Sequence, residues 1–176
     1  MFNRSKFKAL VHYICYRRFN VDPSSLGSVK LNKILWLSDF VAYRDLHEPI
    51  TGARYVRRQL GPVPHQILPV LKDLEAEGVL TVSETDYHGK PKKTYSVHKP
   101  ASDDMFTPEE KAIVDKMIDF VCDWHTATSI SEFSHDHVWK AAKEGEEIPY
   151  MTVFIKPGKI TQEDRDWARF QLETDF

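Results

Sequence analysis

The stretch Lys30 to Tyr43, KLNKILWLSDFVAY, constrains the fold of this chain more than any other. Leu31, Ile34, Leu35 and Val41 follow spacings of three and four, which gathers them on a helix of 3.6 residues per turn. Trp36, Leu37, Phe40 and Tyr43 widen that surface well beyond a single stripe. A helix this apolar, in a chain without a membrane-length apolar run, implies neighbours on more than one flank. Lys30, Lys33, Asp39 and Arg44 are assigned to its wet side. The remaining segments are expected to cover it.

A chain of 176 residues is long enough for one substantial core. Residues 1–176 are expected to form a single domain, with the loop near residue 100 the only internal boundary on offer. Cys15 and Cys122 both fall in apolar periodic segments, so they are expected to be reduced core thiols. The basic and apolar start lacks a cleavage pattern, and no run reaches the roughly 18 apolar residues of a membrane span; the expected location is cytoplasmic, with no membrane partner. Net charge is −2 but unevenly placed: 16 Lys and Arg against 9 Asp and Glu in residues 1–100, then 8 against 17. Such an asymmetry either steers a charged partner or lets two halves pack together.

Residues 4–19 read as a first helix with Phe7, Leu10, Val11, Ile14 and Cys15 buried and Lys6, Arg17 and Arg18 outside. The central helix is expected to start near Ser28 as a cap and to end near Asp45. Gly52, Gly61, Pro49, Pro62 and Pro64 break up the next stretch. Within it, Ala53–Gln59 is open between helical turns and a strand, and Gly61–Pro64 is an extended entry to a helix over 65–77. The period then changes to two in VLTVSET and KTYSVHK, around a loop containing glycine and proline, which marks a β-hairpin. Thr107-Pro108-Glu109-Glu110 is a helix start with both a cap and a proline at the first position. Ser129 with Glu132 suggests a second capping box, and Ser134 or Asp136 the start of another short helix. Met151–Ile155 suggests a small strand, and a final polar helix bears Trp167 and Phe170. The fold class is therefore mainly α with a small β-hairpin (α+β): a helical core around a buried central helix, with a winged-helix-like hairpin.

Chemistry is sparse. Ser134-His135-Asp136-His137 is the best metal or catalytic candidate, but neighbours at i and i+2 point to different sides of a helix, and no further ligands stand at readable spacing. On a helix His135 would pack against Trp139 one turn away. Neither Asp39 with His47 nor Asp86 with His88 comes with a nucleophile to orient, and no glycine-rich phosphate loop is present. No catalytic residue, metal or cofactor is assigned, and an enzyme is not expected. His88, Lys90, Lys92 and Lys93 at the hairpin tip, with Arg54, Arg57 and Arg58, offer positive charge for a phosphate backbone, whereas Asp73, Glu75 and Glu77 spoil the would-be recognition helix.

The order KLNKILWLSDF, ITGARYVRRQLGPVP, helix, hairpin, Thr-Pro-Glu start and SHDHVWKAAKEGEEIPY resembles the Panacea domain, the SocA-like antitoxin domain of bacteria and phages. The residues carrying the resemblance are Lys30, Leu31, Lys33 and Ile34; Gly61, Pro62, Val63 and Pro64; and Ser134, His135, Trp139, Ile148, Pro149 and Tyr150. It spans about residues 5–155, leaving 156–176 as a C-terminal extension. The resemblance implies a non-enzymatic antitoxin that binds and neutralises a cognate toxin encoded by an adjacent gene, or delivers it to an ATP-dependent protease. The alternative is a DNA-binding winged-helix-like transcriptional regulator or phage-associated adaptor. Arg54, Tyr55, Arg57, Arg58 and Gln59, together with His88, Lys90, Lys92 and Lys93, are assigned to a basic protein-contact surface, arginine and tyrosine being favoured at binding hot spots. Against that assignment, Arg57 would pair with a carboxylate of residues 101–176 and Tyr55 would belong to the core.

Overall fold

A computed structural model describes residues 1–87 and 89–155. Its helices are α1 (Arg4–Phe19), α2 (Ser28–Leu46), α3 (Ile67–Ala76), α4 (Pro108–Asp123), α5 (Ala127–Phe133) and α6 (His137–Ala141), with 3₁₀ turns at Pro23–Ser25 and Tyr150–Phe154. Two antiparallel hairpins separate them: β1 (Tyr55–Arg58) with β2 (Gly61–Pro64), and β3 (Leu80–Tyr87) with β4 (Lys90–Val97). The fold is largely helical, as the periodicity requires, and carries one more hairpin than the sequence pattern marks.

Helix α2 is the hub, packed by α1, α4, α5, β2, β4 and the 150–154 turn. Every residue from Lys33 to Phe40 is buried. With neighbours on all sides there is no wet stripe along that segment, so Lys33 and Asp39, assigned to solvent by helical periodicity, are 1 % and 0 % exposed. Their polar atoms are satisfied inside instead. Arg18 is a second correction: it is buried, with Nε 3.0 Å from Ser25 Oγ and a guanidinium nitrogen 3.0 Å from Asp123. The apolar stripe of α1 is buried as its spacing predicts.

The helix ends follow local chemistry. Gly27, not Ser28, occupies the cap position of α2, and no side chain caps it. Thr107 and Glu110 form the reciprocal capping box of α4, with proline in the first turn. Helix α5 begins earlier than Ser129 and Glu132 suggest, because the Thr126 hydroxyl already accepts the Ser129 amide while Ser129 Oγ takes the Thr126 amide. Asp136 caps α6 through the Trp139 amide at 2.8 Å. Met151–Phe154 belong to a 3₁₀ turn rather than a strand: the Thr152 amide bonds back to Pro149 O and the Ile155 amide to Thr152 O. The expected last helix lies outside the described residues.

Hairpin β1–β2 turns through Gln59 and Leu60, with Arg58 opposite Gly61 and Tyr55 opposite Pro64. Pro62 and Pro64 have no N–H to give and lie on the outer strand, the place a sheet tolerates proline. The other edge of β1 is taken by residues 145–148: Gly145 N donates to Arg57 O at 2.9 Å, Arg57 N to Glu146 O at 2.8 Å, and Ile148 N to Tyr55 O at 2.8 Å. Hairpin β3–β4 is held by its base, where Leu80, Tyr95 and Val97 are buried and β4 meets α1. These elements share one continuous apolar cluster running through α1, α2, α3 and α4. Among the described residues no helix is long and apolar enough to cross a membrane.

Candidate functional site

Two buried polar clasps fasten the first hairpin and the chain around residue 150 to α2. Asp39 Oδ1 accepts the Thr51 amide at 2.7 Å; Oδ2 accepts the Thr51 hydroxyl, the Tyr55 hydroxyl at 2.7 Å and the Tyr150 hydroxyl at 3.3 Å. Burial raises the Asp39 pKa, and these donors oppose that shift without cancelling it. Tyr55 shares its hydroxyl with Leu35 O at 2.8 Å, and Tyr150 with Ala53 O at 2.6 Å. Burial first, then the Asp39 charge, moves both phenols upward. The second clasp is Lys33, whose ammonium donates to Pro62 O at 3.1 Å and has no carboxylate within ion-pair distance among the described residues. Burial pushes its pKa down to about 7. Gly61 makes room for it: its φ is +99°, and a Cβ there would collide with Lys33 Nζ and Ser134 Oγ.

The late motif closes the outside of the same hairpin. His135 stacks on Trp139 with centroids 3.7 Å apart and planes 12° apart, and the Arg57 guanidinium lies 4.2 Å from the centroid of the Trp139 ring. Arg57 Nε donates to Trp139 O at 3.0 Å, Trp139 Nε1 to Arg58 O at 3.0 Å, and Arg57 pairs with Glu144 at 3.0 Å. Burial, with the positive charge of Lys33, lowers the His135 pKa. Among the described residues no three His, Cys, Asp or Glu side chains come together in a way that would hold a metal ion. These arrangements position backbone: Ser131 Oγ is 3.5 Å from His135 Nε2, but its hydroxyl donates to Leu60 O at 3.1 Å.

The open feature is a groove of about 890 Å³ between the start of α2, hairpin β3–β4, and the α4–α5 junction, with Leu60 at one end. Lys92 crosses its α2 wall: its stem lies over Gly27, 3.4 Å from where a Cβ would stand, and its ammonium donates to Ser24 O. Lys30 is half-buried in the same wall and donates to Cys122 O at 3.1 Å. Burial lowers the Lys30 pKa, and the nearby Arg18 and Lys92 charges push the same way. Of the opposite wall, His125 belongs to an aromatic group beside the groove, in which Phe120 gathers Trp124, His125 and Phe133 within 4.7–5.8 Å between ring centroids. Trp124, Phe133 and Leu60 are 77 %, 53 % and 52 % exposed. A smaller cleft shares Ser28, Val29 and Leu60 with the groove and reaches Lys33, Arg58 and Gln59.

The residues assigned to a basic contact surface therefore separate. Tyr55 is 1 % exposed and belongs to the core, because its ring is packed against Phe40 and its hydroxyl is held by Asp39; it is not a contact residue. Arg57 is held by Trp139 and Glu144, and exposed Arg54 pairs with Glu147 at 2.8 Å. Arg58 is exposed, 3.5 Å from Glu144, and with Gln59 lines the small cleft. Lys92 and Lys93 line the main groove. His88 and the side chain of Lys90 lie outside the described residues. Of the motif residues, Leu31 is core, Pro149 precedes the 3₁₀ turn that carries Tyr150, and Lys30 alone faces the groove. Trp124 and Phe133 fall in no sequence motif, and Leu60 lies within ITGARYVRRQLGPVP without being singled out as a contact residue.

The chain is thus a helical scaffold with internal polar clasps and an open groove beside an exposed aromatic group. The family described as antitoxin SocA-like, Panacea domain, matches residues 31–140, and the chain belongs to it. No curated protein and no solved structure matches the chain. Membership is consistent with a non-catalytic, protein-binding role.

Proposed function

We propose that this chain is a non-enzymatic antitoxin that neutralises a cognate toxin, encoded by an adjacent gene, through direct contact. The observation that carries this reading is an open groove of a family member lined by exposed Leu60 and by His125, with exposed Phe133 against the His125 ring and exposed Trp124 next to it in the chain. Large apolar side chains presented together on a surface mark sites of association. The mixed charge of the groove, where Asp22 and Glu132 stand among the lysines, supports a protein partner over a phosphate backbone.

Co-expression with the product of the neighbouring reading frame tests it, scoring growth and affinity capture together. Toxicity relieved by this chain with a stable complex is the expected result. Relief without a complex, accompanied by loss of the neighbour, replaces direct neutralisation with delivery to an ATP-dependent protease. A harmless neighbour that does not co-purify overturns the antitoxin reading.

A further inference from the structure

The groove is lined by Lys30, Lys92 and Lys93 together with Asp22 and Glu132. Lys30 is half-buried, and its acceptor is a neutral carbonyl, Cys122 O. Neither Lys30 nor Lys93 has an ion pair among the described residues; Glu84, opposite Lys93 in the hairpin, is not within ion-pair distance. Burial is the main reason the Lys30 ammonium is disfavoured; Arg18 and Lys92 push the same way, and Cys122 and Asp123 push against it. A half-dehydrated cation bonded only to a neutral carbonyl gains from a carboxylate supplied from outside. Across the groove, His125 is both a lining residue and a member of the aromatic group with Phe120 and Phe133, so the charged wall and the apolar patch are continuous.

We infer that the groove and the aromatic group joined to it at His125 are the docking site for an acidic, amphipathic segment of the partner protein, seating a carboxylate against Lys30 and Lys93 in the groove and covering Leu60 and the adjoining Trp124 and Phe133 with apolar side chains. The inference rests on the proposed function and names the surface and partner chemistry that would serve it. Charge complementarity selects the occupant. A basic segment would meet Lys30 and Lys93, while a nucleic acid, with a phosphate at every step, would set some of them against Asp22 and Glu132, which a single carboxylate placed on Lys30 and Lys93 avoids.

The test uses the full chain and the product of the neighbouring reading frame. A photo-crosslinking residue is placed in turn at Trp124, at Lys93 and, as a control, at Leu68, which is 58 % exposed on α3 away from the groove. Crosslinked peptides are identified by mass spectrometry, and capture is measured for Lys93→Gln, Trp124→Ala and the double variant Lys30→Gln/Lys93→Gln. The expected result is crosslinks from Trp124 and Lys93 to a segment rich in Asp and Glu, and capture weakened at least about tenfold by each variant with melting unchanged for the two single substitutions. Wild-type capture with unaffected variants, or crosslinks from Leu68 alone, overturns the inference and leaves the antitoxin reading standing. No capture by the wild type overturns both. Salt-sensitive binding of a labelled 30-base-pair duplex that Lys93→Gln abolishes, with no crosslink to protein, assigns the groove to nucleic acid and overturns it as well.

Discussion

The two hairpins carry similar basic side chains and use them in opposite ways. In β1–β2 the arginines turn back on the molecule, Arg54 to Glu147 and Arg57 to Trp139 and Glu144, while Lys33 and Asp39 hold the hairpin and the loop before it from below. In β3–β4 only the base is buried, and Lys92 and Lys93 lie along a groove. Helix α2 repeats the contrast within one turn: Lys33 faces the interior and Lys30 the groove. The same residue type is thus internal fastening in one place and groove lining in the other: Lys30 and Lys33 both donate to a backbone carbonyl, and what separates them is burial, Lys33 being enclosed and Lys30 only half-buried.

The sharpest way to break this comparison is to remove the interior fastening. Asp39→Ala leaves the Thr51 amide and the Tyr55 and Tyr150 hydroxyls short of a buried acceptor and is expected to cost about 3–5 kcal/mol, read from urea unfolding. If Asp39→Ala costs less than a surface substitution, the first hairpin is not held from below.

The glycines of the two hairpins give the next contrast. Gly61→Ala meets both a left-handed φ and a collision with Lys33 and Ser134, for an expected cost of about 2–5 kcal/mol. Gly89→Ala also has positive φ, but nothing lies within 4 Å of its Cβ, and the cost should stay near about 1–2 kcal/mol. Equal losses in the two variants would show that packing does not distinguish the hairpins.

Lys33 adds a dependence on pH. Its folded pKa, about 7, lies below the ordinary 10.5, so between those values the unfolded chain binds a proton that the folded chain releases. Stability from this group therefore rises with pH across the window and is lost as pH falls through about 7. The stability of Lys33→Met relative to wild type should be greatest below pH 7 and fall by about 1 kcal/mol per pH unit above it. Parallel pH profiles for the two proteins would place Lys33 in contact with water.

Much of the scaffold was legible in the sequence because it is set by local rules. The α1 stripe and the Thr107 capping box of α4 depend on neighbours in the chain and stand where the pattern puts them. Strands β3 and β4 pair as their alternation requires but reach further than it marks: Pro91 and Lys92, read as loop, are strand residues opposite Asp86 and Thr85. Hairpin β1–β2 was only half legible, since prolines mask the alternation and the pairing of β1 with residues 145–148 is distant in sequence. Lys33 and Asp39 were misplaced because a hydrophobic stripe predicts a polar face only when one side of the helix stays wet. A run as apolar as Ile34–Leu37 already argued that α2 has no such side. The groove was missed for a related reason. Leu60 in a two-residue turn and Trp124 at a helix cap are large apolar residues at positions that cannot point inward, and that mismatch was the available signal.

The most direct test of the central contrast compares Arg57→Glu with Lys93→Gln for melting temperature and for capture of the neighbouring gene product. Arg57→Glu loses the stack on Trp139 and sets a carboxylate beside Glu144, so its melting should fall by about 4–8 °C, the scale for roughly 2 kcal/mol in a chain of this size. Lys93→Gln should melt as the wild type does and capture its partner at least about tenfold more weakly. An unchanged melt for Arg57→Glu with lost capture, and a destabilised Lys93→Gln with intact capture, would contradict the account.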